Sequence, residues 1–238
     1  MRTHKYLASF LLVFLGAAAC LAQSPDEIIS KHIEAIGGKA TLSKVNSIYM
    51  EGVASVMGND LPTSVTILNG KGYKTKTTFN GMDIINCITD TAGWMLNPMQ
   101  GGDNAVSLPA EMVKVGKSAL DARGELYNFR EKGYTDSLLG RENVEGKQAY
   151  KIKLSQPGME IFYFLDPDSY YILKMEVKLS IGGRDLDNIT TYSNYKKTDA
   201  GIVLPYSSAM NTMGYDVQMN YTKIEVNKDI DTKVFMKP

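Results

Sequence analysis

Histidine and cysteine are the scarcest reactive residues of this sequence, whose 238 residues contain two of each. His4 lies in an N-terminal stretch that we interpret below as removed, which leaves His32 as the sole imidazole of the remaining chain. Sites that need several histidines, among them most zinc hydrolases and the iron facial triad, are therefore excluded. Basic and acidic residues number 26 each, so the chain also lacks the net positive charge typical of nucleic-acid-binding proteins.

The sequence also lacks the common catalytic motifs. It contains no G-x-S-x-G, C-x-x-C, H-E-x-x-H or G-x-G-x-x-G pattern. Gly116-Lys117-Ser118 resembles the end of a phosphate-binding loop, but Glu111 occupies the position of the first glycine. Asp166-Pro167-Asp168 is typical of a turn that its carboxylates cap, rather than of a general acid/base pair. We therefore predict a protein that is not an enzyme, with no catalytic residue, no metal site and no cofactor.

Residues 1–22 have the three parts of a secretory signal peptide in the right order. Arg2 and Lys5 supply positive charge, an apolar run extends from Leu7 to Leu15, and small residues follow it. We therefore expect a signal peptide over 1–22 and a single domain over 23–238. No later run approaches twenty apolar residues, so we expect no membrane-spanning helix after processing.

Two cleavage sites remain open. Cleavage after Ala22 would leave Gln23 as the N-terminus of a soluble periplasmic protein. Cleavage before Cys20 would leave a cysteine for lipid attachment and anchor the protein to the outer membrane. That second pattern usually has a leucine-like residue three positions before the cysteine, where this chain has Ala17. In the first case Cys87 is the only thiol, and its apolar surroundings predict a small buried hydrophobic residue.

The start of the remaining chain predicts two helices. Ser24 is a suitable N-cap and Pro25 suits the first helical position, while Gly37-Gly38 favours a helix end. An apolar face at three-to-four spacing lies between these signals and includes His32. A second short helix is predicted from Lys39 to Val45. We interpret His32 as a packing or capping residue and not as a catalyst.

From residue 46 the apolar pattern repeats every two residues and predicts ten to twelve antiparallel strands joined by tight turns. The centre differs, because Leu108, Met112, Val115 and Ala119 form a helical stripe, and a further helical piece is predicted at about 125–131. A twisted sheet of this size curls on itself. The expected fold is mainly β with some α: a half-open, curled antiparallel barrel whose helices plug or cover the concave side. The mouth of such a barrel suits an apolar ligand.

Methionine is abundant, with twelve residues after Met1. Flexible, polarizable methionine suits a surface that holds variable apolar ligands, and it equally serves as ordinary core material. Composition leaves these two interpretations open.

Several segments, in order, resemble a known family. They are HIEAIGGKATLSKVNSIYMEG, FREKGYTDSLLGRENVEGKQAYKIKL, FYFLDPDSYYILKMEVK, GIVLPYS and IDTKVFMKP. They resemble the LolA/LolB-like outer-membrane lipoprotein-sorting proteins, in the version found in Bacteroidetes-type bacteria. The resemblance covers nearly the whole chain after residue 22. It implies a half-open antiparallel barrel with a helical lid, whose apolar cavity holds lipoprotein acyl chains across the periplasm without a cofactor.

One feature of that family is missing. The resemblance implies a strand arginine that fastens the lid, but residues 46–96 contain no arginine. Lys74 and Lys76 cannot take the same role, because an ammonium group lacks the guanidinium fork.

We therefore hypothesise a periplasmic carrier or binder of an acylated lipoprotein or lipid, with a chaperone role in envelope lipoprotein transport. Alternate residues of the central strands, and the helix of Met112, would form the ligand-binding surface. The predicted ligand-binding residues are Met50, Val65, Ile67, Met112, Ile161, Tyr163, Met175 and Val177. A shift of one residue would move the strand residues to the opposite face. The alternative is an envelope regulatory or scaffold module of the same fold. It would bind a protein partner, such as an outer- or inner-membrane envelope protein, and could be anchored through Cys20.

Overall fold

The computed structural model describes residues 23–100, 104–181, 184–212 and 214–238. The predicted signal peptide and Cys20 lie outside the described residues. The α-helices are α1 (Pro25–Ala35), α2 (Lys39–Leu42) and α3 (Ala110–Gly116), and short 3-10 helices cover Pro98–Gln100, Lys117–Leu120 and Thr232–Phe235. No described helix is both long enough and apolar enough to cross a bilayer.

The strands form one antiparallel sheet. Their bounds are β1 Ser47–Val56, β2 Asn59–Leu68, β3 Gly72–Phe79, β4 Met82–Thr89, β5 Gly93–Leu96, β6 Val106–Ser107, β7 Thr135–Val144, β8 Lys147–Gln156, β9 Met159–Leu165, β10 Ile172–Ile181, β11 Arg184–Lys197, β12 Val203–Thr212 and β13 Tyr215–Val226. The order across the sheet is β6-β5-β4-β3-β2-β1-β13-β12-β11-β10-β9-β8-β7. Neighbours are therefore hairpin partners almost everywhere, and pairing of β1 with β13 joins the two halves of the chain at the centre.

The sheet curls, as two distant tyrosines show. Tyr73 of β3 and Tyr192 of β11 are five strands apart in the strand order, which in a flat sheet would separate them by about 24 Å. Burial raises the pKa of Tyr192 to about 12, and Tyr73 contributes to that rise. Ile33 of α1 also packs against the apolar clusters of both β8–β10 and β1–β2, which a flat sheet would hold apart, so these strands face each other across a concave space. The predicted curled, half-open antiparallel sheet is confirmed.

The first helices form as predicted. Ser24 Oγ accepts a hydrogen bond from the Glu27 amide at 3.1 Å, and Pro25 is the first helical residue. Gly37 and Gly38 both have positive φ angles, which end α1 and turn the chain into α2. The second helix ends at Leu42, three residues before the predicted end.

The predicted helix at about 125–131 is wrong, because this stretch is a series of turns. Gly124 and Asn128 both adopt positive φ angles, which an α-helix cannot contain. The apolar residues of the stretch are nevertheless buried, namely Leu126, Tyr127 and Phe129. The segment 121–134 therefore fills the concave side without being helical. We call α1 together with this segment the plug.

The plug packs on the concave face in two clusters. In the first, Ile28 and Ile29 of α1 with Leu126 and Phe129 cover β7–β10. In the second, which lies over β1, β2 and β13, the buried residues from outside the strands are Ile36, Leu42, Val45, Ala122, Tyr127 and Ile202. Helices thus cover the concave side, as predicted.

The C-terminal segment covers part of the convex face instead. Phe235 is buried beside Cys87 and Trp94, and its carbonyl accepts a hydrogen bond from Trp94 Nε1 at 2.9 Å. Cys87 is fully buried, and burial raises the pKa of its thiol to about 11. Its interpretation as a small buried hydrophobic residue is confirmed.

Candidate ligand-binding site

The strand residues predicted to bind a ligand share one face of the sheet. Met50 of β1 pairs with Val65 of β2, while Tyr163 of β9 pairs with Met175 of β10. Ile67 lies two residues beyond Val65, and the Ile161–Val177 pair lies beside the Tyr163–Met175 pair. Six of the seven belong to or pack against the clusters that contain the plug, and Val65 shares their face through its pairing with Met50, so this face is the concave one. Their role in binding stays a prediction.

Within this set, burial differs between positions. Val65, Ile161 and Tyr163 are buried in the core. Met50, Ile67, Met175 and Val177 are only partly buried, although they pack against the same clusters. Apolar surface is therefore left accessible on the inside of the curl, between the plug and the open part of the sheet.

Met112 lies elsewhere. Its side chain is 49% exposed, while the next residue, Val113, is the buried one in α3. The α-helix covers only Ala110–Gly116, so Leu108 and Ala119 of the predicted stripe lie outside it. The helix itself borders the concave side, but Met112 points away from it.

A cavity of about 810 Å³ lies between α3, the segment 121–134 and the β8–β9 turn. Its apolar walls include Val115, Leu120, Tyr134 and Met159. None of the eight predicted residues lines it. Charged side chains around it come from Glu111, Lys114, Lys117, Asp121, Arg123, Glu125 and Lys132. Sequence reasoning missed this site because its residues lie far apart in the chain, and the loop geometry that gathers them has no periodic signal.

Asp121 organises the charges on one side of this cavity. Arg123 donates to it from Nε at 2.7 Å and from a terminal nitrogen at 3.1 Å, and Lys132 Nζ lies 2.7 Å from the second oxygen. Burial opposes ionisation of Asp121, but these hydrogen bonds outweigh it and hold the pKa of the carboxyl below its usual value. The Arg123 guanidinium also lies 4.5 Å from the Tyr127 ring centre, which orders this wall.

Glu125, which also lines the cavity, behaves in the opposite way. Burial raises the pKa of its carboxyl to about 7, an effect that Lys132 reduces and Asp121 reinforces. The cavity therefore contains one carboxylate held ionised and one that is partly protonated near neutral pH.

The centre of the concave face is polar as well as apolar. Tyr221 of β13 lies opposite Gly52 of β1. Burial raises the pKa of Tyr221, and Tyr73 and Tyr192 raise it further, so the three phenols converge from separate strands. The same face carries Thr75, Thr190 and Ser208. An acyl chain lying here would meet hydroxyl groups as well as methionine and isoleucine side chains.

His32 attaches α1 to the sheet. Its Nδ1 lies 2.8 Å from the Tyr170 carbonyl oxygen, and because a carbonyl only accepts, Nδ1 carries the proton. The side chain is 4% exposed, and burial lowers the pKa of His32 to about 4. Tyr170 also stacks on Tyr150, and the Lys31 ammonium lies 5.4 Å from its ring centre. These contacts attach α1, and with it the plug, to the turn that precedes β10.

The D-P-D turn that presents Tyr170 is structural, as predicted. Asp166 is buried and accepts hydrogen bonds from the amides of Asp168 at 2.8 Å and Ser169 at 3.2 Å. Lys147 also contacts its carboxylate. The carboxylate therefore caps the turn.

Several solved structures share this architecture. A domain named for outer membrane lipoprotein sorting, from Vibrio parahaemolyticus, matches 87% of this chain and 95% of its own at 17% identity, with a TM-score of 0.57. A LolA superfamily protein from Nitrosomonas europaea matches 91% of this chain and 99% of its own at 15% identity, also with a TM-score of 0.57. A DUF1329 family protein from Desulfovibrio piger matches 89% and 96% at 14% identity, with a TM-score of 0.51.

These likenesses show that the chain shares the fold of the LolA superfamily protein and of the Vibrio domain. No protein-family model matches the sequence, and no curated protein matches it.

Proposed function

We propose that the protein is a non-enzymatic carrier or binder of acylated lipoprotein or lipid, with the acyl chain held on the concave face. The observation that carries this proposal is the set of partly buried apolar residues inside the curl, Met50, Ile67, Met175 and Val177. A ligand methylene that leaves water there contributes about 0.8 kcal/mol, so a long chain needs few polar contacts. The name of the Vibrio relative supports a lipoprotein as cargo.

The placement of the two reactive side chains supports binding without covalent chemistry. His32 is buried and its Nδ1 proton is used on the Tyr170 carbonyl. Cys87 is buried under Phe235 on the convex face, away from the concave surface. Neither side chain is placed to reach a ligand inside the curl.

Displacement of an apolar fluorescent probe by fatty acids, followed by native mass spectrometry of protein purified from the cell envelope, tests the proposal. Met175→Lys would place a charge on the concave face and should lower ligand affinity at least about tenfold. Ile189→Lys is the matched control, because Ile189 is 47% exposed on the convex face of the adjacent strand. Equal affinity in both variants, or no lipid bound by the unaltered protein, would contradict the proposal.

Export to the periplasm after removal of residues 1–22 is part of the proposal. It rests on the charge, apolar run and small residues of that stretch. The intact mass of the mature protein separates the two cleavage sites. A chain that begins at Gln23 fits a diffusing carrier, whereas a diacylated Cys20 fits an anchored receiver.

A further inference from the structure

The 810 Å³ cavity adjoins the concave surface on which the proposed acyl chain would lie. Met159 lines the cavity and belongs to the core cluster of β7–β10. Val115 also lines it and packs against the same cluster, as do Met175 and Val177. A chain lying along Met175 and Val177 therefore lies on the same apolar cluster that forms part of the wall of this charged cavity.

The charges of the cavity are predominantly positive at its α3 side. Lys114 and Lys117 lie one turn apart, both line the cavity, and neither forms an ion pair within the described part of the chain. Two further cationic side chains of the cavity, Arg123 and Lys132 of the segment 121–134, share the single carboxylate of Asp121. Four cationic side chains thus surround a space whose three carboxyls include Glu125, which is only partly ionised near neutral pH.

This local excess contrasts with residues 23–238 taken as a whole, which carry two more acidic than basic residues. A half-enclosed, partly apolar wall also raises the effect of nearby charges above that in open water. An anion in the cavity would meet two ammonium groups without having to displace an existing ion pair.

We propose that this cavity binds the anionic headgroup of an acyl-chain ligand, with Lys114 and Lys117 as the main contacts. The inference rests on the proposed function and names its ligand class: an amphiphile that carries one or more acyl chains and a negatively charged carboxylate or phosphate. The apolar part lies along the concave face, and the headgroup lies between α3 and the segment 121–134.

The test compares three ligands with the same oleoyl chain: oleate, oleoyl lysophosphatidylglycerol and uncharged monoolein. The double variant Lys114→Gln/Lys117→Gln should weaken binding of the two anionic ligands about fivefold to thirtyfold, while monoolein changes by less than about twofold. The matched control is Lys39→Gln/Lys44→Gln, which removes two exposed lysines of α2 and its C-terminal turn and should leave all three affinities unchanged. Raising the salt concentration should weaken binding of the two anionic ligands but not binding of monoolein.

The outcomes separate the two levels of the proposal. An equal loss for all three ligands, or no loss for the anionic ones, overturns the headgroup site while leaving the acyl-binding function standing. If the unaltered protein binds none of the three ligands, both the headgroup site and the acyl-binding function are overturned. A larger loss for lysophosphatidylglycerol than for oleate identifies phosphate as the preferred headgroup, and the reverse identifies carboxylate. Inorganic phosphate alone, without a chain, should compete only weakly.

Discussion

The two walls of the curled sheet are built differently. On the wall formed by β7–β9, the concave residues Ile152, Leu154 and Leu165 are fully buried under the plug. On the wall formed by β10–β13 and β1–β4, Met175, Val177, Met50 and Ile67 are only partly buried, and the phenols converge. The first wall resembles the dry core of an ordinary domain. The second keeps apolar surface accessible, at a cost in stability that a bound chain would offset.

The sharpest test of this difference is an identical truncation on each wall. Ile152→Ala should lower the free energy of unfolding by about 3–5 kcal/mol, because the site is fully buried and leaves a cavity. Ile67→Ala should lower it by about 1–2 kcal/mol, because its side chain is already partly exposed. Urea unfolding of both variants measures this. Equal losses would show that the two walls are equally well packed.

The attachment of the plug should weaken in acid. Because the pKa of His32 is about 4 in the fold and about 6.5 when unfolded, the unfolded chain binds the additional proton between these values. Stability from this group is therefore full above about pH 6.5 and is lost as the pH falls toward 4, by up to about 3 kcal/mol.

His32→Asn provides the comparison, since its amide can still donate to the Tyr170 carbonyl but does not titrate. Between pH 6.5 and pH 4, the unfolding free energy of this variant should not show the decrease that protonation of His32 causes in the unaltered protein. If the unfolding free energy of the two proteins changes equally with pH between 6.5 and 4, the lowered pKa of His32 is contradicted.

Glu125, at the cavity, should make the free energy of unfolding depend on pH in the opposite direction. Its pKa rises from about 4.5 in the unfolded chain to about 7 in the fold, so the folded state holds the proton more tightly. Stability is then full below about pH 4.5 and is lost as the pH rises through 7, by about 1–2 kcal/mol after allowance for partial exposure.

Glu125→Gln should be more stable than the unaltered protein at pH 8 and indistinguishable from it at pH 4.5. Because the His32 and Glu125 contributions partly cancel between pH 4.5 and 6.5, only differences between variant and unaltered protein separate them. A variant that is less stable at pH 8 would contradict the raised pKa.

The smallest expected effect concerns single hydroxyl groups. Arg141 donates a hydrogen bond to the Tyr150 hydroxyl at 2.7 Å, so Tyr150→Phe should cost about 0.5–1.5 kcal/mol of unfolding free energy. The Tyr221 hydroxyl makes no hydrogen bond to a side chain or backbone group of the described residues, so Tyr221→Phe should change it by less than about 0.5 kcal/mol. If Tyr221→Phe lowers the unfolding free energy as much as Tyr150→Phe, the Tyr221 hydroxyl already has a hydrogen-bond partner when no ligand is bound.

Local signals account for the parts of the fold that sequence reasoning predicted. The Ser24 cap and Gly37-Gly38 bound α1 because capping and left-handed backbone depend on residues a few positions apart. The period of two placed Met50, Val65, Met175 and Val177 on one face, because alternation depends only on the strand itself. The helix predicted at 125–131 failed where Asn128, which tolerates a left-handed conformation, adopts a positive φ angle.

The sequence by itself determined the antiparallel strands, the first helix, the burial of Cys87 and the scarcity of reactive side chains, because each follows from neighbouring residues or composition. Only the tertiary structure decided that β1 pairs with β13, that Tyr73, Tyr192 and Tyr221 converge, and that Lys114 and Lys117 line one cavity together with Arg123 and Lys132. The physical reason is that periodicity specifies the face of a strand but not its distant partner. The curl that brings those partners together is a property of the whole sheet.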